Sequence, residues 1–197
     1  MAKRALYSSE DILAAAVSAV ANRGHAATVS DVTTILGAPS GSIYHRFPTR
    51  EALFASAWIR CVHHFQDSLA TVTEIEDPLE AIVETGLLIP RFCRRHPAEA
   101  RTLTLYRHAE LLANPPKGLN DELTGLNDPV AAHITELTRR RFGEVSQRRL
   151  ALIALACRET PYGMVRGYIG GQIPDWLDRP IAAAIAAVAS MEESSTD

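Results

Sequence analysis

Residues 37–53 read Gly-Ala-Pro-Ser-Gly-Ser-Ile-Tyr-His-Arg-Phe-Pro-Thr-Arg-Glu-Ala-Leu, and this stretch decides the fold. Gly37 suits the end of one helix, Pro39 and Ser40 the start of the next, and Pro48 forbids continuation past Phe47. The spacing predicts a helix of about two turns over 40–47, with Ile43 and Phe47 on its buried side and small residues at its start. Upstream, Thr28 and Asp31 have capping-box spacing for a helix that ends at Gly37, with Val29, Val32, Ile35 and Leu36 expected to pack inward. Further upstream, Ser8 or Ser9 caps a first helix with Leu13, Val17 and Val20 on its apolar face, closed by Arg23 and Gly24.

Downstream, helical spacing recurs and alternation of the strand kind is almost absent. A fourth helix is expected from a Thr49 cap to about Leu69, because Phe54, Trp58, Val62, Phe65 and Leu69 keep a nearly four-residue rhythm. Helices are then expected over Leu79 to Arg95, Pro97 to Ala113, Asp128 to Phe142, Val145 to Tyr168 and Ile181 to Met191. Asn114 to Asn120, with its two prolines and Gly118, reads as a loop. The expectation is an all-α chain of about nine helices, with a three-helix domain at 1–48 and a helical bundle at 49–197. Glu192 to Asp197 read as a frayed tail.

With 47% apolar and 22% charged residues, the composition is that of a globular protein. The net charge of −3 is unevenly placed: residues through Arg50 carry +2 and the remainder −5, which favours an anionic partner for the N-terminal part. Cys61, Cys93 and Cys157 are widely spaced and read as buried small apolar residues in a reducing compartment. No leader or membrane-spanning run is read from the sequence, so the expected location is the cytoplasm, without a membrane partner. Histidines 63, 64, 96, 108 and 133 show no metal-ligand spacing, and no phosphate loop or nucleophile motif is present. No catalytic residue, cofactor or metal is expected, and an enzyme is a distant alternative.

Three short helices joined by tight turns match a helix-turn-helix, whose later helix enters the major groove. The order Thr-Val-Ser-Asp-Val at 28–32, followed by Gly-Ser-Ile-Tyr-His-Arg-Phe-Pro-Thr-Arg-Glu-Ala-Leu at 41–53, resembles the signature of the TetR family of transcriptional regulators. The resemblance covers roughly the first quarter of the chain. It implies phosphate contacts from Thr28, Tyr44, His45 and Arg50, and a base-reading role for the first turn, Ser40, Gly41 and Ser42, with Arg46 as a longer reach. Lys3 and Arg4 are candidates for a minor-groove arm by charge and position. Where the family often has a capping serine followed by lysine, this chain has Pro39 and Ser40, so one implied phosphate contact is missing.

A single reading helix touches too few bases for genomic specificity, which calls for a symmetric dimer on a palindromic operator. The apolar helices over 145–168 and 181–191 are the candidate interface, and the resemblance implies the same pair. It also implies a small-molecule effector bound in the C-terminal bundle. Trp58, Phe65, Phe92, Tyr106, His108, Cys157 and Tyr162, polar or aromatic on apolar helices, are the candidate contacts. The implied function is a ligand-responsive repressor. A helix-turn-helix activator, or a regulator without a ligand, is the alternative.

Overall fold

The computed structural model describes residues 7–191; Lys3, Arg4 and the tail 192–197 lie outside the described residues. Among the described residues the fold is all-α, with no strand. In chain order the α-helices are α1 (Ser9–Arg23), α2 (Val29–Leu36), α3 (Ser40–Tyr44), α4 (Arg50–Asp67), α5 (Pro78–Arg95) and α6 (Pro97–Leu103). They are followed by α7 (His108–Ala113), α8 (Asn120–Gly125), α9 (Asp128–Phe142), α10 (Gln147–Ala154), α11 (Thr160–Val165) and α12 (Asp178–Ala189). The helices fall into two compact units, one built from residues 7–64 and 96–126, the other from 65–95 and 127–191.

In the first unit, capping chemistry sets the helix starts. Ser8 caps α1 and Thr28 caps α2, each accepting from the N–H three residues on, while the Asp11 and Asp31 carboxylates accept from the cap N–H and hydroxyl. These hydrogen bonds hold both carboxyls below their ordinary pKa. Gly37, in the left-handed region at φ 67°, ends α2 as expected, and the Thr49 hydroxyl accepts from Ala52 N–H at 3.0 Å to start α4. Ile12, Val20, Val32, Ile43, Leu53 and Phe54 form the core that fixes α1 to α4.

Two expectations are corrected in this unit. Ile35 is 44% exposed rather than packed inward. At about 100° per residue, Val29, Val32 and Leu36 share one side of α2, and Ile35 lies about 120° from Val29. The expected helix over 97–113 is broken between α6 and α7. There the Thr104 hydroxyl donates back to Arg101 C=O, three-residue backbone bonds tighten the turn, and Leu105 and Tyr106 pack onto the core. The expected loop is non-helical over residues 114–119, and α8 begins at its last residue, Asn120, burying Leu123, with Leu126 buried just past its end.

The second unit packs α5 against α12 through Ile82, Ile181, Ile185 and Ala189, all of them buried, and Gly86 lies at the closest approach. A Cβ at Gly86 would overlap Ile185 Cδ1, so this fully buried side chain would have to shift within a packed core. Gly86→Val is therefore expected to destabilise the protein by about 1–3 kcal/mol by overpacking, read as a lower midpoint of thermal unfolding by circular dichroism.

The helix expected over 145–168 is helical almost throughout, but Leu155–Glu159 is a π turn in which Thr160 N–H bonds Leu155 C=O. Pro161 follows at once and has no N–H to offer Cys157 C=O, so the wide turn falls where the α-helical ladder is already short of a donor. The run Arg139 to Arg141 splays in three directions: Arg139 pairs Glu136, Arg140 donates to the Ile75 and Glu76 carbonyls, and Arg141 donates to Ala189 C=O.

The Thr85 hydroxyl donates to Ala81 C=O at 2.7 Å, so it accepts from His133 Nε2–H at 3.0 Å. Burial, with Arg140 nearby, lowers the His133 pKa from its ordinary 6.5. The unfolded chain then takes up a proton here before the folded one does, so stability is expected to fall as pH drops below 6.5. Urea unfolding across pH 7 to 5 should show a smaller slope for His133→Gln than for the parent.

Candidate nucleic-acid interface

The short α3 is held by its interior residue and displays the rest. Ile43 is fully buried, and Phe47 N–H bonds Ile43 C=O at 2.9 Å, so the helical turn continues beyond α3 and half-buries the Phe47 ring. Ser40, Gly41, Tyr44 and His45 are exposed, and Ser42 and Arg46 are half-buried. Nothing lies within 4 Å of the position a Cβ would take on Gly41. Tyr44 is 47% exposed, which places its ring at the surface rather than between helices. Arg46 Nη1 donates to Ser42 C=O at 3.3 Å, a weak internal bond that an anion can replace.

Thr28 is exposed at the N-terminus of α2, but its N–H and hydroxyl both donate to the Asp31 carboxylate and Asp31 N–H donates back to the hydroxyl, which leaves the N–H groups of Val29 and Ser30 as the anion-facing donors there. Arg50 is committed inward: Nε and Nη2 donate to Ala27 C=O at 3.1 and 2.8 Å, and Nη2 also to His25 C=O at 3.0 Å. Its guanidinium lies 4.9 Å from the Phe54 ring centre. In this geometry Arg50 ties the start of α4 to the turn preceding Thr28, so it supports the segment that presents Thr28. Sequence spacing gives no sign of this tie, because the partners are more than twenty residues apart.

Beside Arg50, a small cavity of about 100 Å³ is bordered by Val20, Gly24, Phe54, Leu105 and Tyr106. Of the residues singled out for an effector, Tyr106 alone borders this cavity, and burial raises its phenol pKa. In the same unit Trp58 is buried, its Nε1–H donates to Leu103 C=O at 3.2 Å, and its ring meets Tyr106 edge-on at 6.5 Å. His108 Nε2 lies 2.7 Å from Leu123 C=O. In the second unit Phe65 and Phe92 meet edge-on at 5.4 Å, while Tyr162 is 42% exposed. Cys157 is buried with Sγ 3.7 Å from Ile82 C=O, and burial pushes its thiol up to about 12. Cys61 and Cys93, also buried, are pushed up to about 12 and about 11, so all three thiols are inert.

Residues 12–57 match the family of bacterial regulatory proteins, tetR family. No curated protein matches the chain in sequence. Among solved structures, a transcriptional regulator from Rhodococcus sp. Rha1 is similar with a TM-score of 0.71 and 22% identity over 92% of this chain and 96% of that one. FadR from Bacillus subtilis, solved in complex with stearoyl-CoA, is similar with a TM-score of 0.67 and 15% identity over 93% and 98%. The ketosteroid transcriptional regulator KstR2 of Mycobacterium tuberculosis is similar with a TM-score of 0.66 and 17% identity over 98% and 97%. The fold is thus that of TetR-family transcriptional regulators, and the matched segment contains α2, α3 and the start of α4.

Proposed function

We propose that this chain, whose residues 12–57 carry the tetR-family helix-turn-helix, is a dimeric repressor that binds a palindromic operator and releases it on binding a small molecule. The observation that carries the reading is the exposed face of α3: Ser40, Gly41, Tyr44 and His45 face solvent while Ile43 anchors the helix. A short helix anchored at Ile43 with most of its residues exposed suits insertion into a major groove. Ser40, Gly41 and Ser42 read base edges, with Arg46 reaching to guanine or phosphate. Tyr44, His45 and the α2 N–H groups that follow Thr28 contact phosphates, and Arg50 acts by holding the Thr28 segment in place and by its positive charge. The location that goes with this function is the cytoplasm, where the DNA is; no helix among the described residues is long and apolar enough to cross a membrane.

The dimer forms through the last two helical runs. Leu155 is 45% exposed and Tyr162 42%, with open space around Gly163 and Gly167, while α12 buries Ile181 and Ile185 and leaves Ala183 and Ala187 outside. FadR, a structural relative, is solved with an acyl-CoA, which supports an apolar or amphipathic effector class here. Effector and operator then oppose each other by one coupling free energy, typically about 1–3 kcal/mol. Enzyme activity is not part of this function.

Fluorescence anisotropy on a selected operator and on point variants of it tests the assignment of roles. Tyr44→Phe removes a phosphate donor and is expected to weaken binding to all sequences alike, by about 0.5–1.5 kcal/mol per half-site. Ser42→Ala is expected to change the preference at particular bases. A uniform loss from both would overturn the assignment of the reading residues.

A further inference from the structure

Away from the reading head, the end of α4 brings one side chain against two from the start of α6, more than thirty residues further along the chain. His64 comes from α4, His96 stands at the N-cap position of α6, and Glu99 lies in the first turn of α6. One ligand atom from each falls within 4.8 Å of the others, and all three residues are half-buried. His64 Nδ1 is 2.7 Å from Glu99 Oε2, and the two imidazole rings are centred 4.6 Å apart.

We propose that His64, His96 and Glu99 form a binding site for a divalent transition-metal ion of the zinc class, with water as the fourth ligand. Imidazole and carboxylate in this ratio form an open tetrahedral donor set for such an ion. Metal–ligand bonds of about 2.0–2.1 Å place tetrahedral ligands about 3.3 Å apart, so the His64–Glu99 pair opens slightly and His96 closes by rotation of its side chain. The Glu99 carboxylate has a second support: Arg60 Nη1 lies 3.9 Å from its Oε1, and Arg60 Nε donates to Glu10 on α1 at 2.6 Å. That chain of contacts orients the carboxylate, as outer partners orient metal ligands elsewhere. A bound ion joins α4 to α6 inside the unit that carries the helix-turn-helix, and the claim stands independently of DNA binding.

Titration of the untagged full chain with Co²⁺, read by its visible d–d absorption and by displacement with Zn²⁺, tests the site. One Co²⁺ per chain with tetrahedral absorption is expected. His64→Ala and Glu99→Gln should each weaken binding by more than about tenfold, since even outer-shell partners are worth that much. His63→Ala, altering an exposed neighbour that pairs with Glu122 at 3.7 Å, should leave it unchanged. Zn²⁺ should also raise the thermal midpoint of the parent and not of Glu99→Gln. Glu99→Gln is isosteric, and with His96→Asn it decides the matter where circular dichroism shows His64→Ala unfolded. Absence of tetrahedral absorption in the parent, equal affinity in the ligand variants, or loss of the signal in His63→Ala would overturn the proposal.

Discussion

Gly41→Leu is expected to leave the helix-turn-helix folded and to weaken operator binding by about 30-fold or more. The two halves of that expectation come from one observation: Gly41 is exposed and nothing lies within 4 Å of a Cβ built on it, so a side chain can leave the helix here without a clash at its first atom. Leucine also favours helix over glycine by about 0.5–1 kcal/mol, so α3 does not suffer. On DNA the same side chain stands in the first turn of α3, where the reading requires close approach to base edges. The loss of contacts at each of two half-sites is worth about 1–3 kcal/mol, which compounds to about 2–6 kcal/mol, a factor of about 30 or more. Circular dichroism and anisotropy on one preparation separate the halves. A Gly41→Leu chain that binds like the parent would remove α3 from the interface.

Leu155→Glu is the second large expectation, and it concerns assembly. Leu155 lies 45% exposed on the π turn between α10 and α11, so a charge there is tolerated by the isolated chain. Buried in a dimer interface, the same carboxylate lacks a partner and costs several kcal/mol across two symmetric copies. Sedimentation at micromolar concentration should move from twice the chain mass of 21.5 kDa to that mass. Operator affinity should drop by about 100-fold or more as two linked half-sites become independent. A Leu155→Glu chain that sediments as a dimer would place the interface elsewhere.

Most of the helix starts and stops were legible because they rest on local chemistry. The Thr28–Asp31 box, the left-handed Gly37 and the Thr49 cap each act within a few residues, and each appears in the structure where the sequence pattern puts it. What escaped the sequence depends on distant contacts. The break after Leu103 has no proline or glycine to announce it; Leu105 and Tyr106 turn the chain because the core of their unit accepts them. The π turn at Leu155–Glu159 is an adjustment of backbone bonding that hydrophobic period does not register.

The same division applies to the sites. That α3 turns Ile43 and Phe47 inward followed from the sequence pattern, although the helix itself ends at Tyr44 rather than at Phe47. The inward commitment of Arg50 did not, since its acceptors are backbone carbonyls that every residue carries. His64, His96 and Glu99 were invisible as a group because ligand spacing along the chain was the only criterion available, and α4 and α6 meet only in three dimensions. The residues singled out for an effector were chosen by a pattern that any aromatic residue on an apolar helix satisfies, and it takes in buried positions such as Trp58 and exposed ones such as Tyr162 alike.

The central claim is that α3 reads DNA as one half of a symmetric pair. Selection of bound sequences from a random double-stranded DNA pool, at physiological salt where non-specific binding is weak, tests it most directly. The account predicts enrichment of a palindrome whose half-sites are lost when Gly41→Leu is used in place of the parent. Enrichment of an asymmetric sequence, or of no sequence with or without acyl-CoA effectors present, would contradict it.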